Sequence, residues 1–495
     1  MIDVRRLSSL KDVSGPARLP LYDLGKHGWG IVHLGVGAFH RAHQADYTDA
    51  ALSAEGGDWR IIGASLRGDS AAKALNPQNG LYTLIERSES GRSGKVIASI
   101  ERVIAAAREP DDLIACLSDP RTRVVTLTIT EKGYGVVRSS MTIDPRHSAV
   151  AEDLRNPGRP VGALGLLTEA LRRRRAARFE PFTVLCCDNL PDNGKFVRAG
   201  VVDFARRIDP ALADWIAEFV SFPSSMVDRI TPASTERTYK DALELTGCVD
   251  MAAVDTEPFK QWVVEDRFPT GRPAWDKVGV IFVDEVGPYE TMKLRMLNGA
   301  HSMLAYAGFL AGHRYVSDTV GSHGFRRLVE RHVAAAASTL PPLSAVDLHV
   351  YGSNILRRFS NTAIAHETYQ IAMDGSEKLP QRIFAATLDA MDRRHDLRPF
   401  AFVVAAWMRY CLGRHDNGDP YRLRDPREEE IAQLLKESSA ASDVCAALHG
   451  LPGLFPERLR ADVPWRDAVT DRLAAMINGG MRHALDAEMR LAAAA

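Results

Sequence analysis

Short apolar runs closed by glycine or turn residues recur through the first half of the chain, separated by stretches of helical periodicity. Gly30-Ile-Val-His-Leu-Gly35 reads as a short buried strand that stops at glycine, and Ala38 to Leu52 as the helix after it. Trp59 to Leu66, Arg123 to Thr130, Phe182 to Cys187 and Val278 to Val283 read as further strands, the second of these rich in β-branched residues. Asp111 to Leu117 and Val161 to Arg175 read as helices between them. Strands alternating with helices predict an α/β domain built on a largely parallel sheet.

From about residue 290 the pattern changes. Met292 to Leu310, Gly324 to Ala337, Leu379 to Met391, Pro399 to Leu412, Glu428 to Lys436 and Pro464 to Ala487 all read as helices, and strong β runs are absent. The turn dipeptide Gly287-Pro288 marks the boundary, giving two domains, residues 1–287 and 288–495. Two domains are also the default for 495 residues, because one core stops growing at roughly 250–300. No internal repeat is visible, and the alanine-rich tail Leu491 to Ala495 is the sole low-complexity tract.

A net charge of −1 supplies no electrostatic case for nucleic acid or an anionic membrane surface. The basic run Arg172 to Arg175 follows an apolar-periodic helix and reads as its solvated end. The six cysteines form no C-x-x-C, and Cys186-Cys187 sit in an apolar run as small core residues, which suits a reduced compartment. Met1 to Lys11 has no apolar leader segment, and no run approaches the 18 or so apolar residues of a membrane span. The expectation is a soluble cytoplasmic protein, monomeric or weakly homo-oligomeric, whose partner is a small molecule.

Gly35-Val-Gly37-Ala-Phe-His40 follows a strand and opens a helix, the setting of a phosphate-binding turn. The first glycine permits the tight turn and the second lets backbone approach a pyrophosphate, but His40 stands where the fingerprint has its third glycine. The candidate cofactor segment comprises the strand residues Ile31, Val32, His33 and Leu34, the turn Gly35, Val36 and Gly37, and the helix start Ala38, Phe39, His40, Arg41 and Ala42. The second strand runs into Ser65-Leu66-Arg67-Gly68-Asp69. Arg67 suits a ribose 2′-phosphate and Asp69 a 2′-hydroxyl, so the residues alone leave NAD and NADP open. His40 and His43 share a helix at i, i+3, but without a carboxylate to complete a metal site they read as packing and cleft-lining residues.

A second constellation, Lys293-x-x-x-x-Asn298-x-x-His301, gathers a base, an amide and an imidazole with no metal-ligand spacing. On a regular helix Asn298 and His301 lie about 60° apart and Lys293 and His301 about 80° apart, with Lys293 about 12 Å below along the axis. The pair then converges only if Lys293 sits at a frayed helix start. A solvated lysine and a satisfied core histidine are the plain alternative, and spacing does not displace it.

Several segments together resemble the long-chain mannitol dehydrogenase family of metal-independent polyol dehydrogenases. They are Gly35-Val-Gly-Ala-Phe-His-Arg-Ala-His43, Thr128-Ile-Thr-Glu-Lys-Gly-Tyr134, Cys187-Asp-Asn-Leu-Pro-Asp-Asn-Gly194, Ser221 to Pro232, Lys293 to His301 and Asp374-Gly-Ser-Glu-Lys-Leu-Pro380. They occur in family order from about residue 25 to 480. The resemblance implies an N-terminal Rossmann-type dinucleotide-binding domain, a mainly α-helical C-terminal domain carrying substrate and catalytic groups, and an active site in the cleft between them. It implies NAD as cofactor, with NADP left open, and no metal. Lys293 becomes the acid/base, Asn189 and Asn298 polarise the substrate oxygen, and His301 and Asp228 line the polyol site. Lys378 lies near the substrate hydroxyls and Glu131 near a proton exit. Read by themselves, Asn189 is equally an Asx-turn residue, Asp228-Arg229 a structural ion pair, and Lys378 an exposed loop lysine.

The chemistry suits those residue types. Oxidising a secondary alcohol needs a base for the hydroxyl proton, and a free lysine, with pKa about 10.4, serves only where burial or a neighbouring cation favours its neutral form. Two amides donate to the developing alkoxide without ionising themselves. The expected reaction interconverts a sugar alcohol (mannitol, sorbitol or arabitol) with its 2-ketose (fructose or xylulose). A hexuronate reductase acting on fructuronate or tagaturonate is the alternative, with Arg382 or Arg357 reading the carboxylate. A catalytically idle NAD-binding regulatory protein is the reading from another class.

Overall fold

The computed structural model describes residues 5–493, so the first residues of the leader reading and the last of the alanine-rich tail lie outside it. The chain divides into two compact units, Met1–Gly287 and Pro288–Ala495.

The first unit is built on a five-stranded sheet of β1 (Trp29–Leu34), β2 (Arg60–Ser65), β3 (Ile100–Ala105), β4 (Val124–Leu127) and β5 (Thr183–Cys186). Their order is β3-β2-β1-β4-β5, and every neighbouring pair is parallel. This is the doubly wound order, in which the chain reverses direction across the sheet between β1 and β4. Alternate residues explain why the strands read as apolar runs. Val32, Leu34, Ile62, Ala64, Val125 and Leu127 face one core, while Ile31, Ile61, Val103, Val124 and Leu185 face the other. Both faces are covered, as parallel sheets require.

Several expectations need correction here. The helix read as Ala38 to Leu52 is two, Ala38–Ala42 and Gln44–Glu55, broken at His43 where φ is −124 and ψ −83. There the buried His43 ring stacks on Phe39 and its Nε2 lies 2.9 Å from the Gln261 carbonyl, so tertiary contacts outweigh helix propagation. Arg174 is not part of a solvated helix end. It is buried, donating to the carbonyls of Asp119 at 2.6 Å and Glu180 at 2.8 Å.

The sequence reading did not find the hairpin of Tyr82–Ser88 with Gly91–Ile97, nor Ser225–Asp228 (β6) paired antiparallel with Gln261–Glu265. The hairpin carries Glu86, Arg87 and Lys95, which break an apolar pattern. Arg87 is buried against Asp241 at 2.6 Å and Asp255 at 2.8 Å.

In the second unit the described residues form helices and no strand beyond isolated bridges. Arg398–Cys411, buried from Pro399 to Cys411, is its axis and packs against Gly299–Leu310 and Val463–Ala493. The last of these breaks at Gly480, where φ is 75. Leu348–Ser360 and Ala441–His449 are helices that periodicity did not single out; Asp347 caps the first through the N–H groups of His349 and Val350. No described helix is long and apolar enough to cross a membrane.

Candidate active site

A groove of about 580 Å³ opens at the carboxyl ends of β1, β2 and β4, lined by Gly35, Val36 and Gly37, by Ser65, Leu66 and Arg67, and by Thr128 and Ile129. It lies at the reversal of strand order, where open α/β sheets bind ligands. Gly35 has φ +102, and a Cβ there would lie 2.2 Å from the Thr128 carbonyl oxygen, so only glycine fits the turn. At Gly37 a Cβ would meet nothing nearer than 3.9 Å, which leaves bare backbone facing open space at a helix start. Both features suit a dinucleotide pyrophosphate.

The other residues of the candidate cofactor segment support the turn from below. Ile31, Val32, Leu34 and Ala42 are core, and Arg41 donates to the Ala252 carbonyl at 2.6 Å. His33 bonds Thr126 at 2.7 Å and Thr128 at 2.9 Å, and the His40 ring stacks on it at 3.4 Å. Burial holds both imidazoles neutral, His33 with a pKa pushed down to about 3. His40 therefore fills the space under the turn. Arg67 is exposed at the groove, whereas Asp69 turns to Lys73 at 3.1 Å and Arg108 at 2.5 Å. Its hydrogen bond to Lys73 lowers the Asp69 pKa.

Asn189 is exposed on the turn after β5, between the buried Asp188 and Asn193. The Asp188 carboxylate accepts from the N–H groups of Ile129 at 3.1 Å and Thr130 at 3.0 Å and from the Tyr134 hydroxyl at 2.7 Å. Burial raises the Asp188 pKa, opposed by those donors. The fully buried Asn193 donates to the carbonyls of Asp188 at 3.0 Å and Ser225 at 2.7 Å, tying this turn to β6. Asp228, buried, ends β6. Arg229, which the sequence allowed as its ion partner, instead reaches Asp46 at 2.8 Å and Glu86 at 2.9 Å. Glu131 is exposed on the turn after β4, 3.8 Å from Arg138.

In the helical unit, Gly287–Met292 passes into a π-helical turn, Lys293–Asn298, and on into Gly299–Leu310. Here the Gly299 N–H bonds the Leu294 carbonyl, five residues back. The regular-helix angles therefore do not apply, because the wider turn inserts a residue and re-aims the side chains on either side. Lys293 is buried and acts electrostatically on His301. His301 is buried too, its ring 4.4 Å from Phe359 and edge-on to His366 at 4.9 Å. Its Nε2 has no hydrogen-bond partner among the described residues. Burial, then the electrostatic effect of His366, Arg358, Arg382 and Lys293, holds its pKa well below the ordinary value. The neutral ring keeps one donor and one acceptor nitrogen.

A second π-helical turn, Pro380–Phe384, packs against the first. Pro380 has no N–H to continue the regular ladder. From this turn Arg382 donates to the Asn298 carbonyl at 3.4 Å and the Ser302 hydroxyl at 3.2 Å. Lys378, half-buried, is tethered to the carbonyls of Ile371 and Met373 and lies 3.6 Å from Asp374. Burial, then Arg382, lowers its pKa. Arg357, the other arginine considered, is exposed and bonds Asn354.

Sequence reasoning thus missed Asp188, Asn193, Arg358 and His366. The first two lie inside the Asp-Asn-Leu-Pro-Asp-Asn motif, which was the available signal; the last two carry none. Among the described residues no group of three His, Cys, Asp or Glu side chains is placed to hold a metal ion.

Residues 29–277 match the mannitol dehydrogenase Rossmann domain, and residues 285–476 the mannitol dehydrogenase C-terminal domain. The chain is similar to the uncharacterized oxidoreductase YeiQ of Escherichia coli K12, 41% identical over 94% of this chain and 96% of that one. D-mannonate oxidoreductase of the same organism is 38% identical over 97% of this chain and 100% of its own. Among solved structures, Pseudomonas fluorescens mannitol 2-dehydrogenase, in a ternary complex with NAD and D-mannitol, superposes with TM-score 0.82 at 36% identity, covering 98% of this chain and 99% of that chain.

Proposed function

Because this chain belongs to the mannitol dehydrogenase family and is an oxidoreductase, we propose that it interconverts a sugar alcohol and its 2-ketose with NAD, using Lys293 as acid/base. When bound, NAD supplies the nicotinamide that takes up hydride from the carbinol carbon. Gly35 and Gly37 present backbone to its pyrophosphate. Lys293 receives the hydroxyl proton during oxidation and returns it during ketose reduction. The amides of Asn189 and Asn298 donate to the oxygen as charge develops there. Neutral His301 and buried Asp228 contact the substrate hydroxyls, Lys378 stands behind them, and Glu131 passes the proton to solvent. The observation that carries this reading is the π-helical turn, where a buried lysine lies in electrostatic range of a buried, neutral histidine whose Nε2 has no hydrogen-bond partner among the described residues.

One observation favours the hexuronate reading. Arg382 is a buried guanidinium on the Asn298 backbone, and no carboxylate pairs with it among the described residues. A substrate carboxylate would complete it, a charge-assisted bond being worth about 1.5–3 kcal/mol, or roughly ten- to 150-fold. NAD reduction measured across polyols and aldonates separates the two. Polyols are expected to give the higher kcat/KM and to keep it within a few-fold in Arg382→Gln. Aldonates turned over faster, and losing about tenfold or more in that variant, would replace the polyol reading.

NAD is expected to outperform NADP in kcat/KM. Arg67 opposes this preference from the rim of the groove, and Asp69, occupied by Lys73 and Arg108, is poorly placed to reinforce it. Arg67→Glu is therefore expected to depress NADP use about tenfold while changing NAD use little. Equal efficiency with both cofactors in the parent chain would show that Arg67 decides.

A further inference from the structure

The turn after β4 holds a conformation its sequence resists. Thr130 sits at φ 70 and ψ 154, a region that β-branched residues avoid and glycine occupies freely. Ile129 N–H, Thr130 N–H and the Tyr134 hydroxyl converge on one carboxylate, that of Asp188. The main chain of the same residue accepts from the Leu190 N–H at 2.9 Å and from the Asn193 amide at 3.0 Å. A single buried residue thus grips two things. One is the wall formed by Thr128, Ile129 and Gly133 in the dinucleotide groove, and the other is the turn that presents Asn189.

We propose that Asp188 is a positioning residue, which locks the strained Ile129-Thr130-Glu131 turn and so holds the groove wall and Asn189 in their working geometry. Asp188 touches neither substrate nor cofactor in this role. The proposal rests on the dinucleotide and Asn189 assignments above, and strain stored beside a functional site is its motive.

The test pairs Asp188→Asn with Thr130→Gly. The asparagine keeps the shape but sets an NH₂ among donors, so kcat is expected to fall about tenfold or more, and NADH affinity, read by fluorescence titration, by a similar factor. Thr130→Gly removes the Cβ that makes the turn unfavourable, so the double variant is expected to regain most of both losses. Asp188→Asn within about twofold of the parent in both readouts would overturn the proposal, since a bond to a charged group is worth more than that. So would a double variant that regains thermal stability without regaining NADH affinity and kcat, because Asp188 would then be merely structural. Should Asp188→Asn not fold, Tyr134→Phe removes one of the donors to that carboxylate. It is expected to show the same pattern at smaller size, again relieved by Thr130→Gly, and unchanged NADH affinity in it would overturn the proposal. A parent chain inactive on every alcohol tested would sink the functional reading instead, and the NADH titration would still decide this one.

Discussion

Lys293→Ala is expected to lower kcat by about 10²–10⁴-fold near neutral pH, the range lost with a general acid/base. NADH affinity should stay within a few-fold, because the glycine turn that fits the pyrophosphate belongs to the other unit. Steady-state kinetics with a fluorescence titration checks both. A variant retaining more than about a tenth of the parent kcat would remove Lys293 from the proton-transfer step. The parent enzyme's pH profile tests the same assignment. Lysine accepts the hydroxyl proton only as the neutral amine, so oxidation should climb with pH to a plateau. Ketose reduction needs the protonated form and should favour lower pH. A flat profile for oxidation, with a deuterium isotope effect showing that hydride transfer limits the rate, would point away from a titrating lysine. Chelators are expected to leave turnover unchanged, and loss of activity in EDTA restored by zinc would sink the metal-free mechanism.

Asn189→Ala is expected to lower kcat by about 10²–10³-fold, since removing one donor to a developing oxyanion raises the barrier by about 2.7–4 kcal/mol. The physical reason is preorganisation. Asp188 and Asn193 fix the backbone on either side of Asn189, so its amide needs no reorganisation as negative charge grows. Because the alkoxide develops only in the transition state, the loss should fall on kcat and leave KM and NADH affinity nearly unchanged. A loss smaller than about fivefold would place Asn189 away from the reacting oxygen. It would then revert to the Asx-turn residue that its sequence context equally allows.

Features governed by neighbours along the chain were legible before any coordinates. Four of the five strands of the parallel sheet show as apolar runs because both sheet faces are covered, while Ile100–Ala105, interrupted by Glu101 and Arg102, does not; Gly35 shows because a tight turn needs φ that only glycine tolerates. The change from strands to helices near residue 290 shows in the same way, since periodicity is a short-range property. The family motifs mark Lys293, Asn298, His301 and Asn189.

What required the tertiary structure are the features set by partners distant in sequence. Arg87 and Arg229 lie buried inside the first unit because Asp241, Asp255, Asp46 and Glu86 meet them there, so strands carrying charge look like loops in the sequence. Asp69 turns from the groove because Arg108, from another segment, joins Lys73 around it. The spacing of Lys293 and His301 misleads because a helix wheel assumes i→i+4 bonds, whereas packing against the turn at Pro380 accompanies i→i+5. Thr130 adopts an unfavourable φ at a turn where Asp188, far along the chain, accepts its N–H. Local periodicity and turn chemistry are written in adjacent residues. Ion pairing, buried hydrogen bonding and local strain depend on distances between atoms that only the folded chain brings together.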